Sequence, residues 1–178
     1  MSHSVLIQNK AKAKDVSSLN RSVICASNID NGWVMSVESL YTDGGDNEVW
    51  LATQPTTGSL AGLWMAYSPE VVLTDSKYKG IDPDPRNFVN SASQVFDAFK
   101  LEEGDIITLS YDALTGSQSS NQYAIAAVTS NKFAWAATPA GTAVASLRLL
   151  EDTHISIGSG SQIGSHRVTA HKFEVIIN

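Results

Sequence analysis

The sequence predicts an all-β protein: a small barrel or sandwich of antiparallel strands, with one long packed loop and an N-terminal arm. Three observations carry this. From Arg21 onward, short β-branched or aromatic runs recur between clusters of Gly, Asn, Asp, Ser and Pro. Nowhere do apolar residues hold helical spacing for three turns, and no repeat of fixed period appears. The 178 residues suit about one domain, long enough to bury its own core. The expected organisation is an arm over residues 1–20 and a single β domain over 21–178.

The arm divides into Ser4-Val-Leu-Ile7, apolar enough for a strand, and Lys10-Ala-Lys-Ala-Lys14, whose lysines alternate along an extended backbone. With so little apolar area it cannot fold alone, and the segment is either frayed or pinned to a neighbour as an added strand. Val5, Leu6, Ile7, Lys10, Lys12 and Lys14 are therefore the expected partner-binding residues. The apolar three would pair with an open sheet edge, and the lysines would meet acidic neighbours.

Ser22–Ala26 and Trp33–Leu40 read as a hairpin, because Asn31-Gly32 between them supplies the positive φ of a tight turn. Glu48–Thr53 and Gly62–Tyr67 are two more strands, the second closed by Pro69, and Val71–Thr74 comes next. Gly80–Phe99 reads as a long packed loop with at most one short helix near Ser91–Phe99, since Asp82-Pro-Asp-Pro-Arg86 forbids regular structure and the phenylalanines keep no clean period. Such a loop either holds a partner or lids the core. Ile106–Tyr111 is a strong strand, and Tyr123–Thr129 and Lys132–Ala137 form a second hairpin across Ser130-Asn131. Val144–Leu150, the short Thr153–Ile157 and Arg167–Ile177 complete the strands.

Composition narrows the function. Charged residues make up 17% of the chain, and 12 Lys+Arg against 18 Asp+Glu leave a net charge of −6, which excludes a broad basic surface for nucleic acid. The longest apolar stretch, Phe133–Ala145, is broken by Thr138, Pro139 and Thr142, so no membrane span is expected. The N-terminus lacks a charged-then-apolar leader, and export is not expected either. One cysteine, Cys25, excludes an internal disulfide and a multi-cysteine zinc site.

No constellation carries catalytic logic. Gly158-Ser-Gly-Ser-Gln-Ile-Gly164 fits neither phosphate-binding glycine pattern and reads as a hairpin loop. His154, His166 and His171 read as surface or hairpin residues, His166 and His171 pointing to opposite faces of a strand. No serine sits in a nucleophile elbow. Asp43, Asp46 and Glu48, and Asp82 and Asp84, match no calcium-loop spacing, and turn chemistry accounts for them. Trp33, Trp50, Trp64 and Trp135 lie in strand runs, where packing explains them; an exposed coplanar pair would instead form a sugar-stacking platform. No catalytic residue, metal or cofactor is expected.

Leu63-Trp-Met-Ala-Tyr-Ser-Pro-Glu70, Tyr78-Lys-Gly-Ile-Asp-Pro-Asp-Pro-Arg-Asn-Phe88 and Val95–Leu109 resemble structural proteins encoded among the head genes of tailed bacteriophages, the capsid decoration or cement proteins. His154-Ile-Ser-Ile-Gly-Ser-Gly and Gly164–Val175 look like the same family, so the resemblance spans roughly residues 50–176. It implies a non-enzymatic virion protein, made in the bacterial cytoplasm, that binds the major capsid protein lattice from outside and ties capsomers together. A homo-oligomer is implied as well, because many copies meet many equivalent sites. The acidic balance suits an outer capsid surface better than one facing packaged phosphate. The alternative from a different class is a carbohydrate- or receptor-binding module displayed on a particle or cell.

Overall fold

The computed structural model describes residues 3–42, 48–70, 72–74, 80–82, 84–141, 143–158 and 165–178. Their regular structure is strand and single-turn 3₁₀ helix; no α-helix occurs among the described residues. In chain order the strands are β1 (Leu6–Lys10), β2 (Asn20–Cys25), β3 (Val34–Leu40), β4 (Val49–Thr53), β5 (Trp64–Ala66), β6 (Val72–Thr74), β7 (Gly80–Asp82), β8 (Val95–Lys100), β9 (Ile106–Ser110), β10 (Leu114–Thr115), β11 (Tyr123–Ala126), β12 (Phe133–Ala136), β13 (Ser146–Gly158) and β14 (Ser165–Ile177). The protein is all-β. It combines a closed five-stranded barrel, β2-β4-β3-β5-β8, with a seven-stranded sheet, β1-β9-β14-β13-β11-β12-β10, and the small antiparallel pair β6-β7.

The pairing is mixed rather than antiparallel throughout. β2 runs parallel to β4, with Ser22 beside Val49 and Cys25 beside Ala52, and β10 runs parallel to β12. The expected hairpin between residues 22–26 and 33–40 is therefore not formed. β2 is flanked by β4 and β8, and β3 by β4 and β5. The intervening loop is held by long-range bonds instead of closing a tight turn. Asn31 Nδ2 donates to Ser68 O at 2.9 Å, Ser68 N donates to Asn31 Oδ1 at 3.0 Å, and Ile29 bridges to Asn90. Gly32 does take the positive φ that the sequence demands, +86°, and packs so closely on the sheet that a Cβ there would lie 2.9 Å from Leu109 Cδ2.

The long loop expected over 80–99 is also corrected. It contains β7, a 3₁₀ turn at Pro85–Asn87 whose N-cap Asp84 accepts from Arg86 N, and β8, which lies where a short helix was expected. β8 closes the barrel by pairing with both β2 and β5. Its inward residues Phe96 and Ala98 alternate with Val95 and Asp97, but Phe99 is buried too, and that breaks the two-residue period in the sequence.

The hairpin β11-β12 forms as expected, Tyr123 opposite Ala136 and Ala126 opposite Phe133. The runs expected as two strands, 144–150 and 153–157, are one: β13 continues through a register shift between Leu149 and Glu151. β13 and β14 stay paired as far as Gly158 opposite Ser165, as a hairpin requires, while the connecting residues 159–164 lie outside the described residues.

One core is shared by barrel and sheet, with Val34, Met65 and Phe99 meeting Leu109, Phe133 and Phe173. A second cluster fills the barrel around Val23, Ile29, Met35, Trp64 and Phe96.

Candidate docking surface

The N-terminal residues are built into the sheet. β1 is its edge strand, with Leu6 opposite Leu109 and Gln8 opposite Ile107. Val5 and Leu6 each keep only 4% exposure, and Leu6, Ala11 and Ala13 belong to the shared core. Ser4 N donates to Asp30 Oδ2 at 3.0 Å, and Val5 N to Ser110 Oγ at 2.9 Å. The expectation that this segment stands apart from the core is corrected. Its lysines are not a spacer, because the alanines between them turn inward. Lys12 N donates to Asp105 Oδ1 and Lys12 Nζ to Glu103 O, while Lys14 Nζ caps Gln8 O.

The six predicted residues thus separate. Val5 and Leu6 are buried on opposite faces, Leu6 in the shared core and Val5 against Ile155 and Ile157, and Ile7 is 41% exposed. Lys10, Lys12 and Lys14 surround a shallow cavity of about 460 Å³ that also touches Asp15 and Asp105. Lys10 is exposed, and its ammonium makes no ion pair or hydrogen bond among the described residues. On the outer side of β1, Val5, Leu6 and Ile7 line a second cavity of about 310 Å³ with Glu70, Pro85 and Ile157. A third, of about 300 Å³, continues from Leu6 along Tyr67, Ser68, Pro69 and Glu70. Glu70 is half-buried and accepts from Asn31 Nδ2 at 3.3 Å. Burial pushes its carboxyl above the ordinary carboxylate range, and the Asn31 bond partly opposes this.

The most prominent feature is the ribbon made by the far halves of β13 and β14. β11 accompanies β13 only over Ser146–Arg148, and β9 accompanies β14 only over Ala170–Glu174. Beyond those limits the two strands continue as a pair, His154 opposite Thr169 and Ser156 opposite Arg167. The ribbon is two-faced: Ile155, Ile157 and Val168 pack on Val5 and Ala170, while His154, Ser156, Arg167 and Thr169 face solvent. Its outer backbone edges carry no strand among the described residues, and such edges are templates for pairing. The alternation of Ile155 and Ile157 with polar residues was the signal for it. Its length was hidden by the bulge, which places Glu151 and Asp152 in what reads as a break.

At the ribbon's base His171 is 3% exposed, not a surface histidine. Its Nδ1 lies 2.8 Å from Asp152 Oδ1, to which Gln118 Nε2 also donates at 2.8 Å. Its Nε2 is buried without a hydrogen-bond partner among the described residues, as is Trp135 Nε1, and the two rings meet edge to face at 5.1 Å. His154 is exposed on the ribbon, and the side chain of His166 lies outside the described residues.

The tryptophans form no open platform. Trp64 is buried and Trp33, Trp50 and Trp135 are half-buried. The Arg21 guanidinium lies 3.5 Å from the Trp50 ring centre and 4.4 Å from that of Trp64, and Lys132 Nζ lies 5.1 Å from that of Trp33. These cations cover faces a sugar would need. Cys25 is buried. Asp43 and Asp46 lie outside the described residues, as does the Asp82 side chain, and Asp84 is bonded to the Arg86 guanidinium. Among the described residues no group of three or more His, Cys, Asp or Glu could hold a metal ion, and no helix is long and apolar enough to cross a membrane.

Comparison with known proteins finds no matching family model, no matching curated protein and no matching solved structure.

Proposed function

We propose that this chain is a non-enzymatic virion structural protein that decorates and stabilises the assembled capsid of a tailed bacteriophage, acting as a homo-oligomer on the lattice of the major capsid protein. The observation that carries the reading is the β13-β14 ribbon. A two-stranded ribbon is marginal by itself in water, and this one is anchored on one face by Val5, Ile155, Ile157 and Val168, while among the described residues no strand pairs with its outer edges and its polar face is exposed. That arrangement supports capture of a neighbouring chain by backbone pairing, which supplies affinity without a pocket. The acidic, weakly charged composition supports an outer position on the shell. The resemblance over residues 50–176 agrees in kind. The covered tryptophan faces do not favour the carbohydrate-binding alternative.

The test is co-sedimentation of the purified protein with capsids lacking it and, separately, with dissociated capsid subunits. Saturable binding to the assembled shell alone is expected. Replacing Ser156 and Thr169 on the ribbon's outer face with lysine should weaken that binding while leaving the melting temperature nearly unchanged. Equal or absent binding to shells and subunits refutes the proposal.

A further inference from the structure

At Leu6 the backbone of β1 turns its N–H and C=O outward. Ser110 N donates to Val5 O at 2.9 Å and Val5 N donates to Ser110 Oγ, so Val5 is bonded to β9, and alternation along the antiparallel pair sends the polar groups of Leu6 to the other side. No strand among the described residues pairs with that edge. Further along, the edge is already occupied, because Lys14 Nζ holds the Gln8 carbonyl. The cavities of about 310 and 300 Å³ meet at Leu6, since both are lined by Leu6 and Glu70. The first adds Pro85, Ile155 and Ile157 and the second adds Tyr67 and Pro69, so together they form a groove whose largely apolar walls surround one carboxylate.

Among the described residues Glu70 is the one charged side chain lining either cavity, and it has no counter-ion there. It is half-buried, and its donor is the neutral Asn31 amide, 3.3 Å from Oε1. Arg86, beside Pro85, is already held by Asp84, its Nη2 2.6 Å from Oδ2. A carboxylate partly withdrawn from water without an opposite charge costs free energy, and the raised pKa of Glu70 has that desolvation as its main cause. A ligand that delivers a cation to this point recovers the cost. Because one oxygen is engaged by Asn31, a compact ammonium fits the carboxylate better than a guanidinium fork, which would take both oxygens side by side. The net charge of −6 also draws positively charged segments toward the protein.

We propose that this groove binds an extended, lysine-bearing segment of the capsid protein, its ammonium meeting Glu70 while apolar side chains on either side of the lysine enter the two cavities. In an extended chain the residues two before and two after the lysine point the same way as the lysine itself, which is the spacing such a groove reads. The Leu6 N–H and C=O supply backbone pairing to the segment where the cavities meet. Ile155 and Ile157 line the groove and also anchor the β13-β14 ribbon, so the two surfaces are continuous and one partner can engage both. This inference rests on the capsid reading proposed above and names the chemistry of the segment that is held.

The test compares the full-length wild type with Glu70→Gln and with Asp97→Asn, an exposed carboxylate outside the groove, after a thermal melt of each to establish folding. Two bindings are measured: co-sedimentation with capsids lacking the protein, and fluorescence anisotropy of a labelled peptide, Thr-Val-Thr-Lys-Thr-Val-Thr, beside the same peptide with norleucine in place of lysine. Glu70→Gln should weaken both bindings by about tenfold, Asp97→Asn neither, and the norleucine peptide should bind the wild type about tenfold more weakly than the lysine peptide. Shell binding by Glu70→Gln equal to that of wild type overturns the proposal, and so does a lysine peptide that fails to bind or binds no better than its norleucine counterpart. Self-association in sedimentation that Glu70→Gln abolishes would make the occupant a second copy and also overturn it. Shell binding indifferent to Glu70 removes the groove alone; peptide binding that depends on Glu70 without any shell binding keeps the groove and removes the capsid reading.

Discussion

Leu6 and Ile7 are adjacent apolar residues whose exchange for alanine should have very different costs, because β1 turns one into the core and the other to solvent. Leu6 keeps 4% exposure within the core shared by barrel and sheet, and Ile7 keeps 41%. Leu6→Ala removes the equivalent of about three methylenes, worth roughly 2.4 kcal/mol in transfer at about 0.8 each. The cavity left between β1 and β9 adds to this and brings the expected loss to about 3 kcal/mol. Ile7→Ala should cost under about 1 kcal/mol, as a change on an open face does. For a chain of this length each kcal/mol moves the melting temperature by about 2–4 °C, so Leu6→Ala should melt roughly 6–12 °C lower and Ile7→Ala within about 4 °C of wild type. Urea titration of both variants at a protein concentration where the wild type is monomeric measures the difference directly. A Leu6→Ala loss below about 1 kcal/mol would mean that β1 is not part of the folded core. Equal losses at the two positions would mean that its register is wrong.

Gly32→Ala forces a side chain into φ +86° and to within 2.9 Å of Leu109 Cδ2, and a loss of roughly 1–3 kcal/mol in denaturant is expected; no loss would show that the loop moves away from the sheet freely. Asp152→Ala should cost about 1–2 kcal/mol although the Asp152 side chain is 63% exposed, because it strips the partner from His171 Nδ1 when Nε2 already has none among the described residues. Glu151→Ala, one residue away, should be close to neutral, and equal effects from the two would refute the role of the His171 contact. Because burial raises the Glu70 carboxyl pKa in the folded state, the folded chain binds that proton more tightly than the unfolded chain. Ionised Glu70 therefore subtracts stability as pH rises through the carboxylate range. Glu70→Gln should melt like wild type near pH about 4 and above it near pH about 7, and an advantage confined to acid would contradict that sign.

What the chain determines by itself is its class and much of its strand inventory. Period-two runs such as Ile106–Ser110 and Tyr123–Ala126, bounded by turn residues, have one low-energy conformation, and the demand for positive φ at Gly32 is a property of its own backbone. The polar alternation around Ile155 and Ile157 likewise shows that a ribbon face exists. Which strands become neighbours is decided only in three dimensions, because pairing depends on the edge each strand meets in space rather than on the next run along the chain. β2 joins β4 and β8 instead of β3, since Asn31 and Ile29 tie the connecting loop to Ser68 and Asn90, far along the chain. The N-terminal segment has too little apolar area to fold alone, which made it read as an arm. Leu6 gains a core only because β9 presents Leu109 and Ile107 opposite β1. The surroundings of Glu70 are equally invisible in one dimension: Leu6 and Glu70 are sixty-four residues apart, and only the fold lets them line the same cavity.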